Sequence, residues 1–240
     1  MAGHSHWAGI KHKKGRADKE RSKIFSKLSR EITVAAKLGD KNPDMNPRLR
    51  VAIQAAKQSN MPKDNILRAI SKSEILENKN YENLRYEGFG PFNTALIIET
   101  LTDNKNRSAS SIRTILQKNG GRLGESGSTT HMFKSCGIIH IEKNKLSEEE
   151  VFEVATSAGA KDCLIKHDIH EIITEKEDFY KIKSVVERKI DNLSYSAVEW
   201  RAHTILKLEK DKKEKIIEVL NALEDLDDVQ KIFTNVLLEY

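Results

Sequence analysis

The hydrophobic period of this 240-residue chain changes once, near residue 84, and that change limits its fold more than any other feature. Before it, apolar residues recur every three to four positions. Phe25, Leu28, Ile32 and Ala35 form the core stripe of a helix that begins at Ser22 and ends near Gly39. Asn42-Pro43 and Asn46-Pro47 mark a connection, and Leu49, Ala52, Ile53 and Ala56 give a second helix. Met61-Pro62 opens a third, with Pro62 expected at the first helical position, where a missing N–H costs nothing; Ile66, Leu67 and Ile70 form its buried side. The polar stretch from Ser73 to Asn83 reads as a linker.

Beyond the linker, strand and helix patterns alternate. Thr94 to Thr100 reads as a strand, Arg107 to Asn119 as a helix stopped by Gly120-Gly121, and Thr129 to Phe133 as a strand. Cys136 to Glu142 is a strand, Ser147-Glu148-Glu149-Glu150 has capping-box spacing, and Cys163 to Ile165 with Ile169 to Thr174 reads as a strand pair. Asp178 to Ile190 is a helix and Tyr195 to Trp200 a strand, which makes a βαββαβ, ferredoxin-like order. The remainder is a strand from His203 to Leu208, a helix from Lys212 to Leu223 and a strand from Val229 to Val236. Added to the 94–133 segment, it would complete a second such set. The expectation is an α+β protein of three domains. Residues 1–80 form a basic arm plus a small helical domain. Residues 84–134 together with 202–240 form a discontinuous ferredoxin-like domain, and residues 135–201 form an inserted one, since insertions are tolerated at loop tips.

Charge divides the chain in the same place. Residues 1–80 hold 18 Lys and Arg against 8 Asp and Glu, whereas the other 160 hold 23 against 28. One part is suited to a polyanion, and the acidic remainder to folding, oligomerising or meeting a protein partner. The arm and first helix place Lys11, Lys13, Lys14, Arg16, Lys19, Arg21, Lys23, Lys27 and Arg30 within twenty residues, against only Asp18 and Glu20. Phosphate backbones reward such clusters, because each neutralised phosphate releases counterions. His12 adds a group that can bond phosphate or stack on a base, as do Trp7, His4 and His6. Arg48, Arg50 and Lys63 on the later helices, with Lys57 and Arg68, read equally as a second contact surface or as an ordinary exposed face. A solvated charge run is the plain alternative, but few acids interrupt this one.

The remaining motifs read plainly. Gly120 to Gly127 lacks the Gly-Lys-Ser/Thr ending of a phosphate loop and follows a helix, so it is a helix stop plus turn. Ala2-Gly3-His4, if Met1 is removed, offers a square-planar set for Cu(II) or Ni(II) of the adventitious kind. Cys136 and Cys163 give no disulfide framework or zinc spacing and read as small buried hydrophobes of a reducing compartment, the cytoplasm. No acid–base or nucleophile pair stands out, so neither catalysis nor a cofactor or metal is expected. No apolar run approaches the roughly 20 residues that span a bilayer.

Ala2 to Trp7, followed by Ile10-Lys11-His12-Lys13-Lys14-Gly15, resembles the opening of the YebC family, bacterial transcriptional regulators related to the mitochondrial translational activator of cytochrome oxidase. The likeness continues through Lys23 to Leu28, Arg30 to Thr33, Asn46 to Arg50 and Asn60 to Ile66. It returns at Tyr86 to Gly88, Leu101 to Asn104, Gly120-Gly121, Gly124 to Ser128 and Asp227 to Gln230. The resemblance implies a helical N-terminal domain, two α+β domains, and cytoplasmic DNA binding in transcriptional regulation. The alternative it implies is a ribosome-associated translation factor that binds RNA. Departures are His6 and Gly9 where Lys and Asn are usual, a linker poor in glycine, and Phe92 at a commonly glycine position.

Overall fold

The computed structural model describes residues 17–74, 80–190 and 193–238, with side chains from Arg21 onward. Helix α1 (Ala17–Leu38), α2 (Pro47–Gln58) and α3 (Lys63–Ser71) make the helical unit. Ile32, Ala35, Ala36, Leu49, Ala52, Ala56, Met61 and Ile66 form its buried core, with Phe25 and Leu28 packed against it. Small residues at the crossings let the helices approach closely, and Asn46 fixes the α1–α2 corner. Its side-chain oxygen accepts from the Leu49 N–H, and its amide donates to the carbonyls of Ala35 (2.8 Å) and Asp40 (2.7 Å). Pro62 stands at the cap of α3 rather than at its first turn, one residue from the expected place.

Strand β1 (Glu82–Phe89), β2 (Ala95–Thr102), α4 (Lys105–Lys118) and β3 (Arg122–Leu123) follow. Next come β4 (Phe133–Glu142), α5 (Glu148–Ala158), β5 (Asp162–Ile165), β6 (Ile169–Glu175), α6 (Phe179–Glu187) and β7 (Tyr195–Ala202). The last elements are α7 (Lys210–Glu224) and β8 (Val229–Thr234). Two four-stranded antiparallel sheets result, ordered β3-β1-β2-β8 and β5-β6-β4-β7.

The second sheet, with α5 and α6, has the strand order of a ferredoxin-like βαββαβ unit, as the contiguous pattern from 135 to 201 implies. Ile139, Ile141 and Ile172 bury one face of it under Val151, Phe179 and Ile182. Gly137 is required there, because a Cβ would stand 2.3 Å from the Phe179 ring.

The first sheet corrects the expected second ferredoxin-like set. Its two central strands are the β1–β2 hairpin, and β1 begins inside the stretch expected as linker. Polar Glu82, Asn83, Arg85 and Glu87 hide its alternation, whereas Tyr86 packs onto the core beneath α4 and α7. The expected strand from Thr129 to Phe133 is a 3-10 turn over Thr130–Met132, with β4 starting at Phe133. The Glu87 carboxylate takes the N–H groups of Thr129 and Thr130 (2.8 Å each), which leaves none for a neighbouring strand. The expected strand from His203 to Leu208 is a single parallel bridge from Leu206 to Val236; Leu206 and Leu208 instead pack on the core. Strand β8 pairs with β2, so residues on both sides of the second sheet in sequence complete the first.

Candidate nucleic-acid interface

Lys11, His12, Lys13, Lys14 and Arg16 lie outside the described residues, as does the side chain of Lys19. The other candidate cations fall into three groups. Arg21, Arg50 and Lys63 are exposed on α1, α2 and the first turn of α3; Lys27 is half-buried on α1. Arg50 also donates to the carbonyls of Pro43 and Asp44, at 3.3 Å each. Arg48 is met inside the helical unit, where its Nε and Nη2 grip both oxygens of Glu31 at 2.7 and 3.1 Å. Lys23 and Arg30 reach across to the loop between α7 and β8, pairing with Asp225 and Asp228.

Asp228 is the centre of this junction. The Leu101 N–H donates to its backbone carbonyl at 2.8 Å, seating it beside the end of β2. Asn104 caps α4 by accepting from the Arg107 N–H, which presents Arg107 and Ser108 toward the same carboxylate. Asp228 Oδ1 then accepts from Arg30 Nη1 (2.7 Å) and Arg107 Nη2 (3.1 Å). Its Oδ2 accepts from Arg107 Nη2 (2.8 Å), Ser108 Oγ (2.7 Å) and Thr102 Oγ1 (3.2 Å). Burial alone would raise this carboxyl, but the bonds from Arg107, Ser108 and Arg30 outweigh it and hold the pKa below the ordinary value. An open cavity of about 350 Å³ lies alongside, lined by Arg30, Tyr81, Asp103, Arg107, Ser111 and Asp227. Two guanidinium groups from different units thus share one carboxylate at the wall of a polar cleft.

A second buried carboxylate explains the glycine-rich stretch. Glu87 is 2% exposed and accepts from the N–H groups of Gly127 (3.0 Å), Thr129 and Thr130, and from the Thr130 hydroxyl (2.5 Å). Burial pushes its pKa up, but the Thr130 hydroxyl and the three N–H groups pull it down to about 2. Those N–H groups, the ones a phosphate loop would offer its ligand, are already spent on a side chain. Gly120 (φ 76°) and Gly127 (φ 90°) carry the helix stop and the turn.

A buried carboxylate of the second sheet, Glu171, is likewise engaged by neighbouring side chains. Glu171 Oε2 lies 2.8 Å from His140 Nε2 and accepts from Lys166 Nζ (2.6 Å) and Arg201 Nη2 (2.7 Å). Burial opposes its ionisation, yet His140, Arg201 and Lys166 hold it far below the usual carboxylate range. Burial pushes the thiols of Cys136 and Cys163 up, away from the thiolate a nucleophile needs. Among the described residues, no helix is long and apolar enough to cross a membrane.

Sequence reasoning missed the junction at which Arg30 and Arg107 share Asp228, because Arg107 and Asp228 stand 121 residues apart and Asp228 stands 198 from Arg30. The available signal was the absence of any acid between Asn104 and Gly124, a stretch that holds Lys105, Arg107, Arg113, Lys118 and Arg122, of which Arg107 meets Asp103 just before it.

Comparison with known proteins places the chain. Residues 5–75 match the TACO1/YebC protein N-terminal domain, and residues 81–236 match the TACO1/YebC second and third domain. A probable transcriptional regulatory protein of Pelagibacter ubique is 55% identical over 236 residues, covering 98% of both chains. Another, from Desulfosudis oleivorans, is 46% identical, covering 99% of this chain and 97% of that one. The crystal structure of a conserved hypothetical protein from Aquifex aeolicus superposes with a TM-score of 0.83 at 41% identity, covering 98% of each chain. The chain belongs to the TACO1/YebC family.

Proposed function

We propose that this protein is a non-enzymatic, DNA-binding transcriptional regulator of the cytoplasm that grips the phosphate backbone with its N-terminal cations. The observation that carries this reading is the cluster of nine Lys and Arg between Lys11 and Arg30 in the sequence, whose later members lie on α1 of a helical unit with a core of its own. A regulatory role is supported by the relatives, which bear the name of probable transcriptional regulatory proteins. The two sheets, in the more acidic part of the chain, arrange the helical unit and offer surfaces to a protein partner.

Ultraviolet crosslinking of the tagged protein in cells, with sequencing of both the DNA and the RNA recovered, tests this reading. Discrete promoter-proximal DNA sites are expected. Crosslinks concentrated on ribosomal RNA would overturn the transcriptional reading and move the protein to translation. In vitro, changing Lys11, Lys13, Lys14 and Arg16 together to Ala is expected to leave thermal stability nearly unchanged. The slope of log K against log salt should flatten by up to about 3–4. An unchanged slope would place the grip elsewhere.

A further inference from the structure

Helix α4 carries Lys105, Arg107, Arg113 and Lys118 and no acid, and Arg122 follows it at once. Solvated helix faces ordinarily alternate the two signs, as neighbouring α7 does with Lys210, Asp211, Lys212 and Glu214. The first turn of α4 has no acid, although a helix N-terminus favours negative charge, and Lys105 stands there instead. A local choice that works against the helix is the kind that function retains. Among the described residues, Lys105, Arg113 and Lys118 are exposed and have no ion-pair partner. Exposed Asn106, Ser110 and Gln117 share the solvent side and add neutral donors or acceptors of the sort that meet phosphate oxygens.

The position of α4 gives this face its meaning. Its N-terminal end meets α1 at Asp228, where Arg30 and Arg107 bond the same carboxylate oxygen at 2.7 and 3.1 Å. The cationic edge of α1 and the cationic face of α4 therefore join at one point. From Arg107 to Lys118 the helix rises about 17 Å, a length along which duplex DNA presents about ten phosphate charges.

We propose that α4 is a second backbone-contact surface for DNA, continuous with the cationic edge of α1 through the Arg30–Asp228–Arg107 junction. One duplex runs past both. The inference rests on the proposed function and extends it to a part of the chain outside the N-terminal cluster.

The test is fluorescence anisotropy of a labelled DNA duplex titrated with the full-length chain over a series of salt concentrations. The parent is compared with a Lys105→Ala, Arg113→Ala, Lys118→Ala variant. Because the three side chains have no internal ion pair, the melting temperature should hold. The slope of log K against log salt should fall by up to about 2–3, from roughly 0.9 for each phosphate contact. Arg113→Lys with Lys118→Arg should keep the parental slope, which separates charge from fold. Salt-dependent binding by the parent with the same slope in the triple variant overturns the α4 surface alone. Absence of binding by the parent overturns this inference and the DNA-binding reading together.

Discussion

Replacing Asp228 by Asn should make the protein bind DNA more tightly while making it less stable. The side chain is nearly buried and its two oxygens accept from Arg30, Arg107, Ser108 and Thr102. An amide keeps one acceptor and turns the other into a donor. The better orientation keeps the oxygen toward Arg30 and Arg107. The NH₂ then faces Ser108 and Thr102, whose hydroxyl protons now point at a donor and must turn away, while Thr102 Oγ1 already accepts from the Asn104 N–H (3.0 Å). Hydrogen bonds to a charged group contribute about 1.5–3 kcal/mol each, and part of the set survives, so the loss should be about 2–3 kcal/mol. For a chain of this length that is a fall in melting temperature of roughly 4–12 °C, read by calorimetry. Arg30 and Arg107 meanwhile lose the carboxylate they share. Arg30 becomes available to phosphate while Arg107 keeps its ion pair with Asp103 (2.7 Å), and the slope of log K against log salt should steepen by up to about 0.9. Anisotropy below the new melting temperature reads it. An unchanged or shallower slope with the fold intact would refute the argument, because Asp228 would then be arranging the two guanidinium groups rather than masking them.

Glu87→Gln should cost about 3 kcal/mol at pH 7, since the folded carboxyl titrates about 2.5 pH units below its ordinary value of 4.5. A lowered folded pKa stabilises above the unfolded value and is lost as pH falls through the folded one. The gap between parent and variant in chemical denaturation should therefore be full above pH 5 and close between pH 4.5 and 2; a gap that persists at pH 2 would exclude ionisation as its source. Phe92 and Asn93 both adopt left-handed backbone (φ 59° and 55°), where a bulky residue is strained, and the Phe92 side chain is 42% exposed. Phe92→Gly should stabilise by about 0.5–1 kcal/mol, and a fall in melting temperature would show that the ring's packing, near Lys215, outweighs the strain.

The parts legible in sequence are those whose physics is local. Helices α1 to α3 show in the spacing of Phe25, Leu28, Ile32 and Ala35 and in the Asn46-Pro47 start, because each helix buries a stripe and Asn46 caps α2. The second sheet is legible because its six elements are contiguous and its capping box at Ser147 and Glu150 announces α5. The first sheet is not, because β1 buries Glu87 on polar partners rather than on an apolar face, and β8, the outer partner of β2, arrives more than a hundred residues later. The candidate interface divides the same way. The charges of Lys23, Arg30 and Arg48 are plain in the sequence, but their carboxylates at Asp225, Asp228 and Glu31 are settled by tertiary contact.

The pairing of the first helix with the last loop also sets a timetable. Lys23 and Asp225 are separated by 202 residues, so at about 5–20 residues per second the ribosome makes the second roughly 10–40 s after the first. The second sheet, complete by Ala202, can fold within that interval, whereas the first must wait for β8. Until then Lys23 and Arg30 have no intrachain carboxylate at the far loop, and the growing chain carries its most cationic segment uncovered beside ribosomal RNA.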